Sequence, residues 1–288
     1  MTGRYALVTP ARDEAVNLRR LGDVLAAQDE LPTIWVIVEN GSRDETLDVA
    51  RSLEDRHPWV TAIVSDEDRS GLRGGQEALA FMDGLAEIPQ LPGVVVKLDA
   101  DVSFEPDFFR ALADRFAADP GLGIASGICL EQDENGEWQA IYATRSHARG
   151  ATRAYSRECL EHVLPLEADS AWDTVDELKA RAGGWETATF ADLPFRHHRK
   201  MGSRAGGRDT WVDQGRMAYY TGYRPSYVVG RAMFRALKEP VALAGLYGYA
   251  AAAMRRDARC ADPDVRRLLR DEQRLRRVVT RARESRGR

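Results

Sequence analysis

Short apolar runs alternate with amphipathic stretches along the first part of the chain. Four runs are short and rich in β-branched residues, which is typical of buried strands; they are residues 5–9, 33–38, 60–64 and 94–98. Between and after them, apolar residues recur at helical spacing in residues 14–27, 44–53, 75–85 and 106–117. This alternation predicts an α/β fold with a mostly parallel sheet flanked by helices.

The pattern is looser in the rest of the chain. Extended segments are predicted at residues 123–130, 137–144 and 185–190, and helices at 157–164 and 173–182. Residues 196–208 are rich in glycine and basic residues and predict a loop. After Pro225 the pattern is helical, with Pro240 and Pro263 separating the segments. We therefore predict one larger domain over 1–222 and a basic helical region over 223–288.

Composition and cysteine content indicate the class of protein. The chain has 288 residues, of which 44% are hydrophobic, so it can bury a sizeable core. Cys129, Cys159 and Cys260 fit neither a zinc site nor a disulfide framework. The apolar stretch at the start is too short for a signal peptide. These features predict a cytoplasmic protein in a reducing compartment.

Charge is distributed unevenly between the two parts of the chain. Residues 196–288 carry 23 Lys and Arg against 9 Asp and Glu, whereas residues 1–195 carry 18 against 36. A basic C-terminal region predicts an anionic partner surface, such as a membrane rich in acidic lipids. No aromatic residues interleave with the arginines after Tyr249, so we do not expect nucleic acid as the partner.

Two carboxylates follow the fourth predicted strand. Asp99 and Asp101 are two residues apart, so both side chains point to the same face at the strand end. Carboxylate oxygens suit a divalent cation such as Mg²⁺ or Mn²⁺, and ligands of parallel sheets bind at the carboxyl ends of strands. The chain lacks both the glycine-rich dinucleotide motif and the Walker motif. A nucleotide would therefore be held through a metal.

Three ordered motifs together resemble a known family. They are residues 8–14 (Val-Thr-Pro-Ala-Arg-Asp-Glu), 35–46 (Trp-Val-Ile-Val-Glu-Asn-Gly-Ser-Arg-Asp-Glu-Thr) and 97–101 (Lys-Leu-Asp-Ala-Asp). Over roughly the first 200 residues the chain is similar to the inverting family-2 glycosyltransferases of the GT-A fold. This resemblance implies a GT-A type sheet, a nucleotide-sugar donor, a divalent metal (Mn²⁺ or Mg²⁺) and transfer of a sugar to an acceptor hydroxyl with inversion. It also implies that residues 1–222 form the catalytic domain, with a donor-binding half over about 1–104 and an acceptor half over about 105–222.

The resemblance also implies roles for individual residues. Those matching the family's nucleoside-binding elements are Pro10, Arg12, Glu14, Glu39, Asn40 and Ser42. Arg73 and Arg204, in two glycine-containing segments, would contact the diphosphate. Asp101 would bind the metal directly, with Asp99 contacting the ribose or bridging, and His197 or His198 completing the site. Each of these residues also has an ordinary structural explanation as a turn, a helix start or a solvated side chain.

The general base is expected in the acidic segment that begins at Trp172. Asp173 would cap the following helix, and Asp176 and Glu177 are the candidates, with Asp176 slightly favoured. The family's usual order is Glu-Asp, the reverse of the order here. Alternatively, the acidic residues only complement the helix dipole. The family's Gln-x-x-Arg-Trp element of processive enzymes is absent, which implies transfer of one sugar at each encounter.

Residues 240–254 carry no charge but are too few to span a bilayer. They would lie in the membrane interface, complete the core or form a dimer seam. The sequence thus predicts a glycosyltransferase attached peripherally to the inner face of the cell membrane, acting on a lipid-linked or polysaccharide acceptor. The alternative is a catalytically silent regulatory protein that binds a sugar nucleotide.

Overall fold

A computed structural model describes residues 4–65, 75–141, 147–168, 171–199 and 207–274. The chain divides into two compact units, Met1–Lys200 and Met201–Arg288. The first unit contains the sheet and the motifs named above. The second contains only helices among its described residues.

The first unit has nine strands and six α-helices within the described ranges. The strands are β1 Tyr5–Ala11, β2 Trp35–Glu39, β3 Val60–Val64, β4 Val94–Leu98, β5 Val102–Phe104, β6 Leu122–Gln132, β7 Trp138–Ala140, β8 Thr152–Ser156 and β9 Glu186–His197. The helices are α1 Ala15–Ala26, α2 Thr46–Arg56, α3 Gly75–Ala86, α4 Phe108–Ala118, α5 Arg157–Val163 and α6 Trp172–Ala182. The predicted α/β fold is confirmed.

One sheet runs through the unit in the order β3-β2-β1-β4-β8-β6-β9-β5, with β7 paired to β6. Strands β3, β2, β1 and β4 are mutually parallel, as their alternation with helices predicted. Beyond β4 the sheet is mixed, because β8 is antiparallel to both β4 and β6. The carboxyl ends of β1, β2 and β4 therefore lie side by side at one edge.

Alternate residues of these strands supply two hydrophobic cores. Leu7 and Ile37 belong to one core with α1, α2 and α4, and Val8 and Val38 belong to the other with α3. Helix α3 approaches the sheet closely at Gly84, where a Cβ atom would lie 2.4 Å from a methyl carbon of Val8. Burial on both faces explains why these strands read as continuous apolar runs.

Two strands were not predicted and one is longer than predicted. Strand β8 has a polar sequence, Thr-Arg-Ala-Tyr-Ser, although all five of its residues are buried. Strand β5 has only three residues. Strand β9 continues to His197 because it pairs with β6 and then with β5, so Arg196 and His197 belong to a strand and not to the predicted loop.

The second unit contains α7 Gly207–Tyr220, α8 Pro225–Ala236, a 3₁₀ helix at Pro240–Leu243, α9 Ala244–Arg255 and α10 Pro263–Glu272. Pro225 and Pro263 occupy the first turns of α8 and α10, as predicted. Helices α7 and α9 are in backbone contact, since a Cβ atom on Gly215 would lie 1.9 Å from the Gly245 carbonyl oxygen. Among the described residues, no helix combines the length and the apolar character needed to cross a bilayer.

Candidate functional site

The loops after β1 and β2 hold each other in place at the carboxyl edge of the sheet. The backbone N–H of Asp13 donates to Ser42 Oγ at 3.1 Å, and the Arg43 N–H donates to Asp13 Oδ1 at 2.8 Å. Asp13 has a φ of 55°, a left-handed conformation that short polar side chains tolerate. Both predicted nucleoside-binding motifs therefore form one surface.

Some of the predicted nucleoside-binding residues make hydrogen bonds within the loops themselves. Glu39 is buried, and its Oε1 accepts from the Ser42 N–H at 2.5 Å, which closes the turn and leaves Oε2 for a ligand. The Asn40 N–H donates to the Ala11 carbonyl oxygen at 3.0 Å, so the hydrogen bonding between β1 and β2 extends to Asn40. Pro10, at the end of β1, is partly exposed at the same edge.

An arginine that sequence reasoning missed links two parts of the site. Arg199 Nη2 lies 2.7 Å from Glu14 Oε1, and its Nε lies 3.7 Å from Asp101 Oδ2. Arg12 lies on the same loop as Glu14 and donates to Gln76 Oε1 at 3.4 Å. The only sequence signal for Arg199 is its place two residues after His197. Its guanidinium lies where the motif of β1 meets the aspartate pair.

Asp99, Asp101 and His197 form a set of potential metal ligands. One donor atom from each lies within 4.8 Å of the other two, and His197 Nε2 is 3.2 Å from Asp101 Oδ1. His197 reaches this place because β9 pairs with β5 directly opposite Val102. Two carboxylate oxygens and one imidazole nitrogen suit Mn²⁺ or Mg²⁺, so these side chains fit the predicted cation.

The protonation of this set reflects its burial and its mutual contacts. Burial by itself raises the pKa of Asp101, but the hydrogen bond and charge of His197 and the charge of Arg199 bring it below its ordinary value. Burial by itself lowers the pKa of His197, but hydrogen bonds to Asp101 and Cys129 outweigh it and raise the pKa to about 10. Asp101 is thus ionised at neutral pH, whereas His197 is protonated and would have to release a proton to bind a metal.

His198 does not join the aspartate pair. Its Nε2 lies 2.8 Å from Ser103 Oγ, and its ring packs edge-on against Trp138 with centroids 5.5 Å apart. Neighbouring residues of a strand face opposite sides, so only one of the two histidines can point at the pair. In the structure, His197 is the histidine that points at Asp99 and Asp101.

A second acidic side chain lies behind His197. Glu131 Oε1 is 3.7 Å from His197 Nδ1, and both side chains are largely buried. Cys129 joins Glu131 and His197 in a second potential metal-ligand group among the described residues. A carboxylate near the far nitrogen of a ligating histidine is a common arrangement around metals.

A buried lysine forms an ion pair with Asp99. Lys97 is 1% exposed, its Nζ lies 2.5 Å from Asp99 Oδ1, and it also contacts Glu77 at the start of α3. The same ammonium lies 5.5 Å from the ring centroid of Trp172, the first residue of α6. The first turn of α6 is therefore next to the end of β4.

Of the two predicted base candidates, Asp176 is entirely enclosed. Arg153 donates to it from Nη2 at 2.6 Å and from Nε at 2.9 Å, and the Tyr155 hydroxyl donates at 2.5 Å. Burial raises the pKa of Asp176 to about 6 despite these contacts. Glu177 is also buried, and its Oε2 lies 2.9 Å from His147 Nδ1.

Asp173 occupies a different position from the one predicted. Helix α6 has Ala171 as its N-cap with no side-chain hydrogen bond, so the prediction that Asp173 caps the helix is wrong. Asp173 lies in the first helical turn, partly exposed, while its carbonyl oxygen accepts from Arg153 Nη2 at 2.7 Å. It is the partly exposed carboxylate of this segment, next to Trp172.

Arg73 and Arg204 lie outside the described residues.

Comparison with solved structures shows proteins of the same fold. A mannosyltransferase, PcManGT from Pyrobaculum calidifontis in complex with GDP-Man and Mn²⁺, has 18% identity and a TM-score of 0.58, covering 92% of this chain and 78% of its own. S. aureus TarS 1–349 has 14% identity and a TM-score of 0.55, covering 88% and 72%. Glucosyl-3-phosphoglycerate synthase from Mycobacterium tuberculosis, with Mg²⁺ and UDP, has 17% identity and a TM-score of 0.52, covering 74% and 77%.

A comparison with curated proteins gives no match. The family model described as glycosyl transferase family 2 matches residues 6–170, more than half of the chain. That span contains both motifs predicted to bind the nucleoside, and the aspartate pair. The motif order, the sheet and the family match agree, and the chain belongs to glycosyl transferase family 2.

Proposed function

We propose that this protein is a metal-dependent, inverting glycosyltransferase that moves one hexosyl residue from a nucleoside diphosphate sugar to a hydroxyl of a lipid-linked or polysaccharide acceptor. The observation that carries the proposal is the convergence of Asp99, Asp101 and His197 at the sheet edge beside the two nucleoside-binding loops. Three structures of the same fold hold nucleotides with Mn²⁺ or Mg²⁺. In this chain Asp99, Asp101 and His197 would hold such an ion.

Departure of the nucleoside diphosphate requires positive charge beside its phosphates. A divalent cation held by Asp99, Asp101 and His197 would supply Lewis acidity there. Arg199 lies beside Asp101 and adds a guanidinium that suits phosphate oxygens. Lys97 keeps the Asp99 carboxylate in place through their ion pair. The remaining oxygen of Glu39 accepts a hydrogen bond from the donor's base.

Inversion also requires a base that reaches the acceptor hydroxyl. Asp173 meets this requirement because it is partly exposed and adjacent to Trp172, which contacts Lys97. Asp176 cannot reach an acceptor, since both of its oxygens are bound by Arg153 and Tyr155 within the core. We therefore assign the base to Asp173, and assign to Asp176 and Glu177 the positioning of the first turn of α6.

The donor proposal predicts a specific thermal shift. GDP or UDP with Mn²⁺ raises the melting temperature by about 5 °C at a hundred times the dissociation constant, because ligand binding to the folded state adds about 2.7 kcal/mol. Nucleotide alone or Mn²⁺ alone gives a smaller shift, because the metal ion bridges the diphosphate to the protein and each ligand strengthens the binding of the other. Differential scanning fluorimetry measures this, with AMP and Mn²⁺ as the control. Equal shifts with and without metal would contradict a metal-bridged donor.

Glu131 is expected to tune the metal site through His197. Replacing it with alanine weakens Mn²⁺ binding roughly 10- to 100-fold, because the imidazole loses the carboxylate that orients it. Titration with Mn²⁺ followed by electron paramagnetic resonance of the free ion measures the affinity without turnover. Glu131→Gln retains an acceptor oxygen and recovers part of the loss. Glu134→Ala, an exposed change in the adjoining turn, is the control; unchanged affinity in Glu131→Ala would refute the role.

A further inference from the structure

Helix α8 packs into the second unit through a narrow face. Val228 and Ala232 are its buried residues. Four large apolar side chains project from the rest of its surface: Val229, Met233, Phe234 and Leu237 are 45%, 61%, 70% and 83% exposed. Their spacing places them on one arc of roughly 140°. Isolated apolar residues are ordinary on a surface, but a continuous arc of this kind indicates an interaction face.

Basic side chains lie on one side of this apolar arc. Arg231, Arg235 and Lys238 are exposed and fall on the arc beside the apolar one. Residues 224–256 contain six basic residues and one acidic residue, Glu239. Glu239 already accepts a hydrogen bond from the Trp211 indole at 3.1 Å. The apolar arc is therefore bordered by positive charge on one side.

Helix α9 adds a second apolar stripe. Leu243, Tyr247 and Met254 are 47%, 64% and 78% exposed and follow one another on the same side of this helix. Its opposite side is committed to α7, since a Cβ atom on Gly248 would lie 2.0 Å from the Val212 carbonyl oxygen. Residues 240–254 thus contribute both to the core of the unit and to its exposed apolar surface.

We propose that the exposed face of α8, with the apolar stripe of α9, docks onto a bilayer rich in anionic lipids. Apolar side chains of an interfacial helix enter the boundary of headgroups and acyl chains, while adjacent basic residues stay with anionic headgroups. A second copy of this chain is a poorer occupant, because a symmetric contact would bring the same basic borders together. The inference deepens the proposed function, on which its link to a lipid-linked acceptor rests.

Vesicle co-sedimentation of the full chain tests the docking. Phosphatidylcholine vesicles containing phosphatidylglycerol bind the protein, whereas pure phosphatidylcholine vesicles bind it weakly. The triple variant Met233→Ser, Phe234→Ser, Leu237→Ser loses about tenfold or more in partitioning, because its apolar area no longer leaves water. Val16→Ser, which alters a valine in α1 that is 69% exposed, binds like the wild type. Circular dichroism of every variant verifies folding.

The charge contribution is measured separately. Arg231→Gln and Lys238→Gln each reduce binding to anionic vesicles by roughly fivefold, which corresponds to about 1 kcal/mol for each charge near the surface. Added salt reduces the binding of the wild type in the same assay. Binding to neutral vesicles stays unchanged in both variants.

Three outcomes would overturn the proposal. One is wild-type protein that does not sediment with anionic vesicles, and another is a triple variant that sediments as well as the wild type. The third is a wild-type dimer that the triple variant converts to a monomer in size-exclusion chromatography, which would identify a second copy as the occupant. The thermal shift with nucleotide and Mn²⁺ is recorded on the same samples, so a failure of docking is distinguished from a failure of the donor proposal.

Discussion

Asp101→Asn lowers turnover by a factor of roughly 1,000 or more. The substitution keeps the size of the side chain but removes one of the charged ligands from the set with Asp99 and His197. A metal that stabilises a leaving diphosphate contributes several kcal/mol to the transition state, and about 1.4 kcal/mol corresponds to each tenfold in rate. Release of nucleoside diphosphate at saturating donor and Mn²⁺ measures the effect.

Metal binding separates this explanation from a loss of structure. Mn²⁺ affinity in Asp101→Asn falls together with turnover, while the melting temperature without ligands stays within a few degrees of the wild type. Asp107→Asn, an exposed change at the start of α4, is the matched control and retains both properties. Near-normal turnover and Mn²⁺ affinity in Asp101→Asn would remove the basis of the metal assignment.

Asp173→Asn lowers kcat by about 100- to 10,000-fold, while donor binding is preserved. The substitution removes the proton acceptor but keeps the partly exposed side chain in the first turn of α6. The thermal shift with nucleotide and Mn²⁺ therefore equals that of the wild type. Steady-state kinetics with varied acceptor measures kcat and KM separately.

Asp176→Asn is the comparison variant for Asp173→Asn, because we expect it to lower the stability of the fold. Arg153 is fully buried and would lose its closest charged partner while keeping Glu177 at 3.8 Å, a loss that costs about 3 kcal/mol in the free energy of unfolding. Urea denaturation measures that loss. If Asp176→Asn stayed stable and inactive while Asp173→Asn stayed active, the base would be Asp176. If the wild type bound donor without turnover, and Asp173→Asn bound it equally, the protein would be a sugar-nucleotide-binding regulator.

The parallel part of the sheet was predictable from the sequence because both faces of those strands are buried. Burial on both faces produces apolar runs such as 94–98, which stand out between helical stretches. Strand β8 escaped prediction for the opposite reason. Its buried Arg153 makes the segment look polar, and that burial is tolerated because Asp176 on α6 and two backbone carbonyl oxygens accept its hydrogen bonds.

The motifs of the candidate site were predictable from the sequence, but the directions in which their side chains point were not. Asp101 could be placed because it follows β4 at the known edge of a parallel sheet. The sequence predicted Asp176 or Glu177 as the base, and their burial depends on which side of α6 faces the core. Arg199 gave no signal, since its contacts with Glu14 and Asp101 join residues far apart in the chain. The outward face of α8 likewise emerged only when the neighbours of the helix were known.

By itself the sequence determined the order of strands and helices in the parallel part of the sheet and the edge at which the motifs meet. Hydrophobic periodicity is local, and a parallel arrangement sends every strand's carboxyl end to the same side. Only the tertiary structure decided that His197, and not its neighbour His198, faces the aspartates. Adjacent strand residues point in opposite directions, so that choice depends on the register of β9 against β5 and β6, which is set by long-range pairing.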